Sequence, residues 1–129
     1  MRSVDTLVIG AGQAGLAMSA SLGDAGVDHA VLERGQVAER WRSERWDSLH
    51  LLTPNWVNRL HGAAGHDDPE GFLGRDAFVD YLEQYASSVG MPVREHIDVL
   101  SVERHRGRFR VHTDDGEWKA RNVVVATGD

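Results

Sequence analysis

Residues 7–17 read "LVIGAGQAGLA", an apolar run that breaks into three glycines, Gly10, Gly12 and Gly15, and resumes as small residues that a helix tolerates. The stretch "DTLVIG" predicts a short buried strand over about residues 5–9. Ala14 to about Asp24 predicts a helix closed by "GDAG", and "HAVLE" at 29–33 predicts a second strand with an acid at its end. Strand, glycine turn, helix and strand in that order form a βαβ unit, whose strands are parallel and whose crossover is right-handed in nearly all cases.

A G-x-G-x-x-G spacing alone is weak. Here it follows a strand, opens a helix, and is joined by Glu33 at the end of the next strand, 18 residues past Gly15. Each glycine then does a separate mechanical job. Gly10 permits the tight turn, Gly12 removes the side chain that would block a pyrophosphate, and Gly15 lets helix and strand pack closely. The helix N-terminus offers unpaired N–H groups and the positive end of its dipole to phosphates. A carboxylate at Glu33 accepts hydrogen bonds from a ribose diol and repels a 2′-phosphate, which points to FAD or NAD rather than NADP at this site. The alternative is a Rossmann-like turn that holds no ligand.

Composition sets the frame. The chain has 129 residues, 41% hydrophobic and 26% charged, as in an ordinary single globular domain. No window reaches the ~18 apolar residues of a membrane helix, and the N-terminus lacks a secretory pattern, so a cytoplasmic location is the default expectation. A formal charge of −6 argues against nucleic acid or an anionic membrane as the main partner. "RHRGRFR" at 104–110 is a local exception, read as a solvated hairpin face, with a phosphate-binding patch as the alternative. There is no cysteine, which excludes disulfides, thiolate zinc sites and a redox-active cysteine pair within these residues.

Between Arg34 and Arg75 clear periodicity is lost, while three of the four tryptophans and two of the three prolines fall there. Short helices and loops lining a ligand site are expected. His61, His66, Asp67 and Asp68 fit no usual zinc spacing and read as a solvated loop, with no metal expected. A helix resumes at about Asp76, the candidate N-cap, with Phe78, Leu82, Tyr85, Ala86 and Val89 at helical spacing and Gly90 and Pro92 as the stop. Beyond it, "PVRE" predicts a strand, and "DVLSVER" and "RFRVHT" a hairpin about Arg106-Gly107. "DDG" is a tight turn before "EWKA", and "NVVVATGD" is a separate strand buried on both faces. The expected sheet has four parallel strands in the order 93–95, 30–32, 5–9, 122–126, with an antiparallel β-meander on one side.

Four segments in this order, "GAGQAG", "LER", "WRSERWDSLHLLTP" (41–54) and "VVVATG" (123–128), resemble the flavin-containing monooxygenases and their Baeyer–Villiger relatives over nearly the whole chain. The Trp-x-x-x-x-Trp-Asp-x-Leu-x-Leu-x-Thr-Pro and ATG segments carry the resemblance more specifically than the glycines do. The fold it implies is α/β, a Rossmann-like FAD-binding domain across 1–129 in which a parallel sheet with a βαβ unit carries a small antiparallel β-meander. It implies that Gly10, Gly12, Gln13, Ala14 and Gly15 hold the FAD pyrophosphate and that Glu33, with Arg34 beside it, binds the adenosine ribose. Trp41, Arg42, His50, Leu51 and Thr53, more loosely Asn55, would run along the flavin. Backbone near Val99 would meet the adenine, and Ala126, Thr127 and Gly128 would pass close to the cofactor. Trp41 and Trp46 as core anchors, and His50 as a surface or packed histidine, remain open alternatives.

Members of the family reduce FAD with NADPH, and the reduced flavin activates oxygen toward a small organic substrate. The NADPH site would be a second glycine-rich βαβ unit after the ATG strand, and only one G-x-G-x-x-G occurs here. The expectation is therefore the N-terminal FAD-binding portion of a larger oxidoreductase, with catalytic residues and substrate unknown. Its "VVVAT" strand would be an exposed apolar edge through which self-association is possible. The alternatives are a non-catalytic dinucleotide-binding or interaction remnant, and an NAD-binding Rossmann domain, which the tryptophan and ATG segments disfavour.

Overall fold

The computed structural model describes residues 2–39, 42, 74–88 and 90–128. In chain order these form β1 (Arg2–Ile9), α1 (Gln13–Asp24), β2 (His29–Leu32), α2 (Arg75–Ser88), β3 (Val93–Arg94), β4 (Val99–His105), β5 (Arg108–Thr113) and β6 (Gly116–Val125). These six strands belong to one sheet, ordered β3-β2-β1-β6-β5-β4. The first four are mutually parallel and the last three antiparallel, so the expected α/β class and parallel order hold.

The meander joins the parallel sheet differently from the expectation. "EWKA" and "NVVVAT" are not separate strands but one ten-residue strand, β6. Residues 116–120 pair with β5, as in Val111↔Trp118 and Phe109↔Ala120, while Trp118 to Val125 pair with β1 on the other edge. Because the two ladders overlap at Trp118–Ala120, nothing interrupts the strand. β1 correspondingly starts at Arg2 rather than near residue 5. Past Ala120 the β5 ladder ends, and Val125 there is 71% exposed.

Alternation along the strands feeds two apolar layers. Val8 and Val31 face α1 and α2, packing with Leu16, Ala20, Phe78, Leu82 and Tyr85. Leu7, Ala30 and Leu32 face the other way, with Ile97, Val111, Trp118 and Ala120. Burial on both faces is the reason "TLVI" and "HAVL" are continuous apolar runs rather than alternating ones. α2 presents Phe78, Val79, Leu82, Tyr85 and Ala86 on one buried stripe, the i, i+4, i+7 spacing of a helix packed on one side. Phe78 is 1% exposed, and burying a side chain of that size contributes about 1.5–3 kcal/mol.

Two turns follow the sequence reading and one cap does not. Arg106 (φ 52) and Gly107 (φ 78) form the two-residue β4–β5 turn with positive φ at both positions, the geometry whose twist matches a hairpin. Asp114 and Asp115 make the next turn, where the Asp115 N–H donates to Thr113 Oγ1 (3.0 Å) and that hydroxyl donates to the Gly116 carbonyl (2.7 Å). Asp76, however, is not the N-cap of α2. The Phe78 N–H donates to the Gly74 carbonyl at 3.0 Å, so the cap lies two residues earlier. Asp76 lies in the first turn and pairs with Arg75. Val89 lies outside the described residues.

Candidate cofactor-binding site

The glycine loop is built by three close approaches. Gly10 has φ +111, and its N–H donates to the Leu32 carbonyl at 2.8 Å. A Cβ there would stand 2.4 Å from the Ala126 carbonyl oxygen. A Cβ on Gly15 would stand 1.8 Å from the Gly10 carbonyl oxygen, so α1 rests directly on the end of β1. Both positions exclude any side chain for reasons of backbone packing alone.

Gly12 is different. It is the N-cap of α1, with φ −86 and ψ −166, a conformation open to any residue. A Cβ there would meet nothing within 4 Å. The fold therefore leaves space in front of Gly12 that a side chain would fill, and a pyrophosphate needs that space. No side chain caps α1, and its first turn holds no acid. The N–H groups of that turn have no intrahelical acceptor, and Gln13 and Ala14 are exposed. The residues present fit an anionic group that approaches the backbone closely.

Glu33 stands at the end of β2 and is half-buried. One carboxylate oxygen accepts from the Ala11 N–H (2.8 Å) and the other from the Gly35 N–H (2.7 Å). A carboxylate has about four acceptor positions. Two are occupied by backbone, which leaves capacity for a ribose diol. The loop that follows is tied back to the glycines, the Ala38 N–H donating to the Ala11 carbonyl at 2.9 Å.

Other sequence-predicted residues are distributed as follows. Arg34 is exposed. Arg42 is engaged within the protein: its guanidinium pairs with Glu83 of α2, and its Nε donates to the Val37 carbonyl at 3.1 Å. Val99 begins β4 and packs against the layer formed by Leu7, Ala30, Leu32 and Ile97. Two residues before it, the Ile97 N–H donates to the Glu33 carbonyl at 2.9 Å. Ala126 donates its N–H to the Ile9 carbonyl at 2.8 Å and lies over Gly10. Thr127 and Gly128 (φ +80) continue outward, exposed. Trp41, His50, Leu51, Thr53 and Asn55 lie outside the described residues, as do Trp46 and the His61, His66, Asp67 and Asp68 loop.

A sequence model described as pyridine nucleotide-disulphide oxidoreductase matches residues 7–129, from the first strand of the loop to the end of the chain. The chain belongs to that family. It is 41% identical, over 97% of its own length and 36% of the relative's, to an uncharacterized CzcO-like oxidoreductase of Geobacillus kaustophilus. It is 35% identical to the indole-3-pyruvate monooxygenase YUCCA1 of Oryza sativa subsp. japonica, over 95% of this chain and 31% of that one. Among solved structures, a flavin-containing monooxygenase from Stenotrophomonas maltophilia matches with TM-score 0.88 and 34% identity, covering 99% of this chain and 39% of that one. The chain thus spans about a third of the length of the curated relatives it matches. No cysteine is present, so the disulphide chemistry in the family's description has no thiol among these residues.

Sequence reasoning missed three residues of this family member's loop. Ala11, fully buried, has both its N–H and its carbonyl held by the segment after β2. Ala38 adopts φ 63, and Glu95 accepts from the Val37 N–H at 2.8 Å. An alanine carries no signal for a left-handed backbone, and a glutamate paired across 58 positions carries none in its local neighbourhood. No group of three His, Cys, Asp or Glu side chains suited to a metal occurs among the described residues. Nor is any helix among them long and apolar enough to cross a membrane.

Proposed function

We propose that the chain is the FAD-binding part of a flavin-dependent monooxygenase that uses NADPH and dioxygen to oxygenate a small organic substrate. The observation that carries this reading is the open space at Gly12, a glycine that neither packing nor φ requires. Gly12, Gln13, Ala14 and Gly15 would hold the pyrophosphate on N–H groups at the positive end of α1. Glu33 would accept from the adenosine ribose, with Arg34 beside it, and backbone near Val99 would meet the adenine. Gly10 shapes the turn, and Ala126, Thr127 and Gly128 pass over it. Trp41, Arg42, His50, Leu51 and Thr53 are proposed toward the flavin end. FAD, when bound, supplies the redox chemistry, and the protein supplies position and electrostatics. FAD rather than NAD is favoured by the 34% identity to the flavin-containing monooxygenase. NADPH and oxygen use are favoured by the monooxygenase relatives.

The test is the visible spectrum of the expressed chain, as isolated and after incubation with FAD. Bound flavin, or flavin taken up, is expected; neither appearing refutes the reading. The same proposal includes self-association through the edge of β6 beyond Ala120, where Val125 is exposed. An unpaired apolar edge is a template for another strand, and a monomer at all concentrations in sedimentation would remove that part.

A further inference from the structure

We propose that Glu95 is a positioning residue for the cofactor cradle, acting through residues 33–39 without touching the ligand. The inference rests on the FAD reading above and extends it to a residue on the far side of that segment. Glu95 follows β3 and is exposed, a setting in which a carboxylate ordinarily serves only hydration. Its Oε2 instead accepts from the Val37 N–H at 2.8 Å. Val37 is 8% exposed and Ala38 is 1% exposed, so a backbone N–H there must find a protein partner or lose its hydration uncompensated.

The next link is Ala38. Its φ of 63 is a left-handed backbone that alanine adopts only where its surroundings hold it. Four bonds do so: Val37 N–H to Glu95, Ala38 N–H to the Ala11 carbonyl (2.9 Å), Arg42 N–H to the Ala38 carbonyl (3.2 Å), and Arg42 Nε to the Val37 carbonyl (3.1 Å). Ala11 is then fixed from both sides, because its N–H donates to Glu33 Oε1 at 2.8 Å. Ala11 precedes Gly12, the N-cap. The plane of the Ala11–Gly12 peptide sets where α1 starts and where its first N–H groups aim, and hydrogen bonds weaken steeply as alignment is lost.

The turn that carries Glu95 is itself anchored to the same segment. The His96 N–H donates to the Gly35 carbonyl (3.0 Å), and the Ile97 N–H to the Glu33 carbonyl (2.9 Å). His96 has φ 59, which redirects the chain just after Glu95. Of the contacts between residues 94–97 and the loop, Glu95 supplies the side-chain acceptor that reaches the buried, left-handed corner next to Ala11.

Removing the acceptor should loosen the corner and blur the cradle while the core stays packed. The experiment compares wild type, E95A and E95Q by FAD titration and by amide hydrogen exchange of the ligand-free chain. In E95A the FAD Kd is expected to rise about tenfold, and the Ala11, Val37 and Ala38 amides to exchange faster while Leu82 in α2 is unchanged. E95Q retains a carbonyl acceptor for Val37 and is expected to stay within about twofold of wild type in Kd. Where E95A does not fold, E95D, one methylene shorter, is read in its place with the same outcomes. A Kd within about twofold of wild type in the Ala variant, or faster exchange spread evenly over α2 and the loop, overturns the inference. If wild type takes up no flavin, the FAD reading fails by itself. The exchange arm then decides alone, with faster Ala11 and Ala38 amides upholding Glu95 as the brace of the glycine loop and unchanged ones overturning it.

Discussion

Gly12→Ala separates the glycine that the proposed FAD site requires from the glycines that the fold requires. At Gly10 a Cβ would stand 2.4 Å from the Ala126 carbonyl oxygen with φ at +111, and at Gly15 it would stand 1.8 Å from the Gly10 carbonyl oxygen. Both neighbours are backbone and cannot swing aside. Overpacking of this kind costs about 1–3 kcal/mol or more, and at Gly10 the left-handed backbone adds about 1–2 kcal/mol. At Gly12 no atom lies within 4 Å of the added methyl and φ is −86. Alanine gains about 0.4–1 kcal/mol by restricting the unfolded chain and loses about 0.5–1 kcal/mol as a poorer N-cap than glycine. The terms nearly cancel, so Tm is expected to move by no more than about 4 °C. On the proposed placement, bound FAD has no such tolerance, because the methyl would occupy the space of the pyrophosphate and push it off the first-turn N–H groups. Losing one charge-assisted bond costs about 1.5–3 kcal/mol, which weakens binding about tenfold to 150-fold. The assays are thermal unfolding by circular dichroism and FAD titration by fluorescence quenching. Wild-type FAD affinity in a folded Gly12→Ala chain would refute the placement of the pyrophosphate, and a Tm drop beyond about 10 °C would refute the claim that packing leaves this position open.

Glu33→Ala removes the acceptor for two backbone N–H groups and is expected to weaken FAD binding by about 1–3 kcal/mol. Glu33→Gln keeps one acceptor oxygen and should fall between; unchanged Kd in the alanine variant would remove Glu33 from the site. Arg106 holds φ 52 ahead of Gly107 in the β4–β5 turn, where asparagine is better suited. Arg106→Asn should therefore raise unfolding free energy in urea by about 0.5–1 kcal/mol, and lower stability would contradict the turn geometry. Burial pushes the Tyr85 phenol above its ordinary value of 10.0, and Tyr81 and Asp24 add in the same direction. The folded state therefore holds that proton more tightly than the unfolded chain. The associated stability is complete below pH 10.0 and is lost as pH rises through the raised value. Tyr85→Phe should lose less stability than wild type between about pH 8 and about pH 11; parallel losses in the two chains would rule the phenol out as the cause.

What was legible in the sequence is what local chemistry determines. Gly10, Gly12 and Gly15 sit between an apolar strand and a run of small residues, and Arg106-Gly107 sits between two β-rich runs, so each turn is specified by its own neighbours. The parallel order followed from the βαβ unit and from runs apolar enough to be buried on both faces. The continuous β6 was not legible because "DDGEWKARNVVVAT" changes from mixed to wholly apolar at Asn122. The pattern changes where the strand's surroundings change: Gly116 and Glu117 pair with β5, Trp118–Ala120 lie between β5 and β1, and among the described residues the rest pairs with β1. The Gly74 cap was hidden because a glycine carries no side chain to mark the position, while Asp76, two residues on, is of a residue type favoured at N-caps. Glu95 and Ala38 meet only after β3 is laid beside β2.

The same long-range bonds decide the sign of charge that the loop accepts. The carbonyl of Gly12 closes the first helical bond with the Leu16 N–H at 3.0 Å, the Ala11 carbonyl takes the Ala38 N–H, and the Ile9 carbonyl takes the Ala126 N–H. The Ala11 N–H is held by Glu33 and the Gly10 N–H by the Leu32 carbonyl. Around the turn, then, these acceptors are already engaged, while the N–H groups at the start of α1 carry no side-chain cap and the first turn holds no acid. With the Ile9, Ala11 and Gly12 carbonyls engaged and the N–H groups at the start of α1 uncapped, the turn presents donors and a positive dipole end to whatever enters the space at Gly12. An anion held on donors already fixed in place is bound without the ordering cost a flexible loop would incur. The bonds from Glu33 and Ala38 to Ala11 are what fix those donors, so the specificity of the cradle is set as much by β2 and the segment after it as by the three glycines.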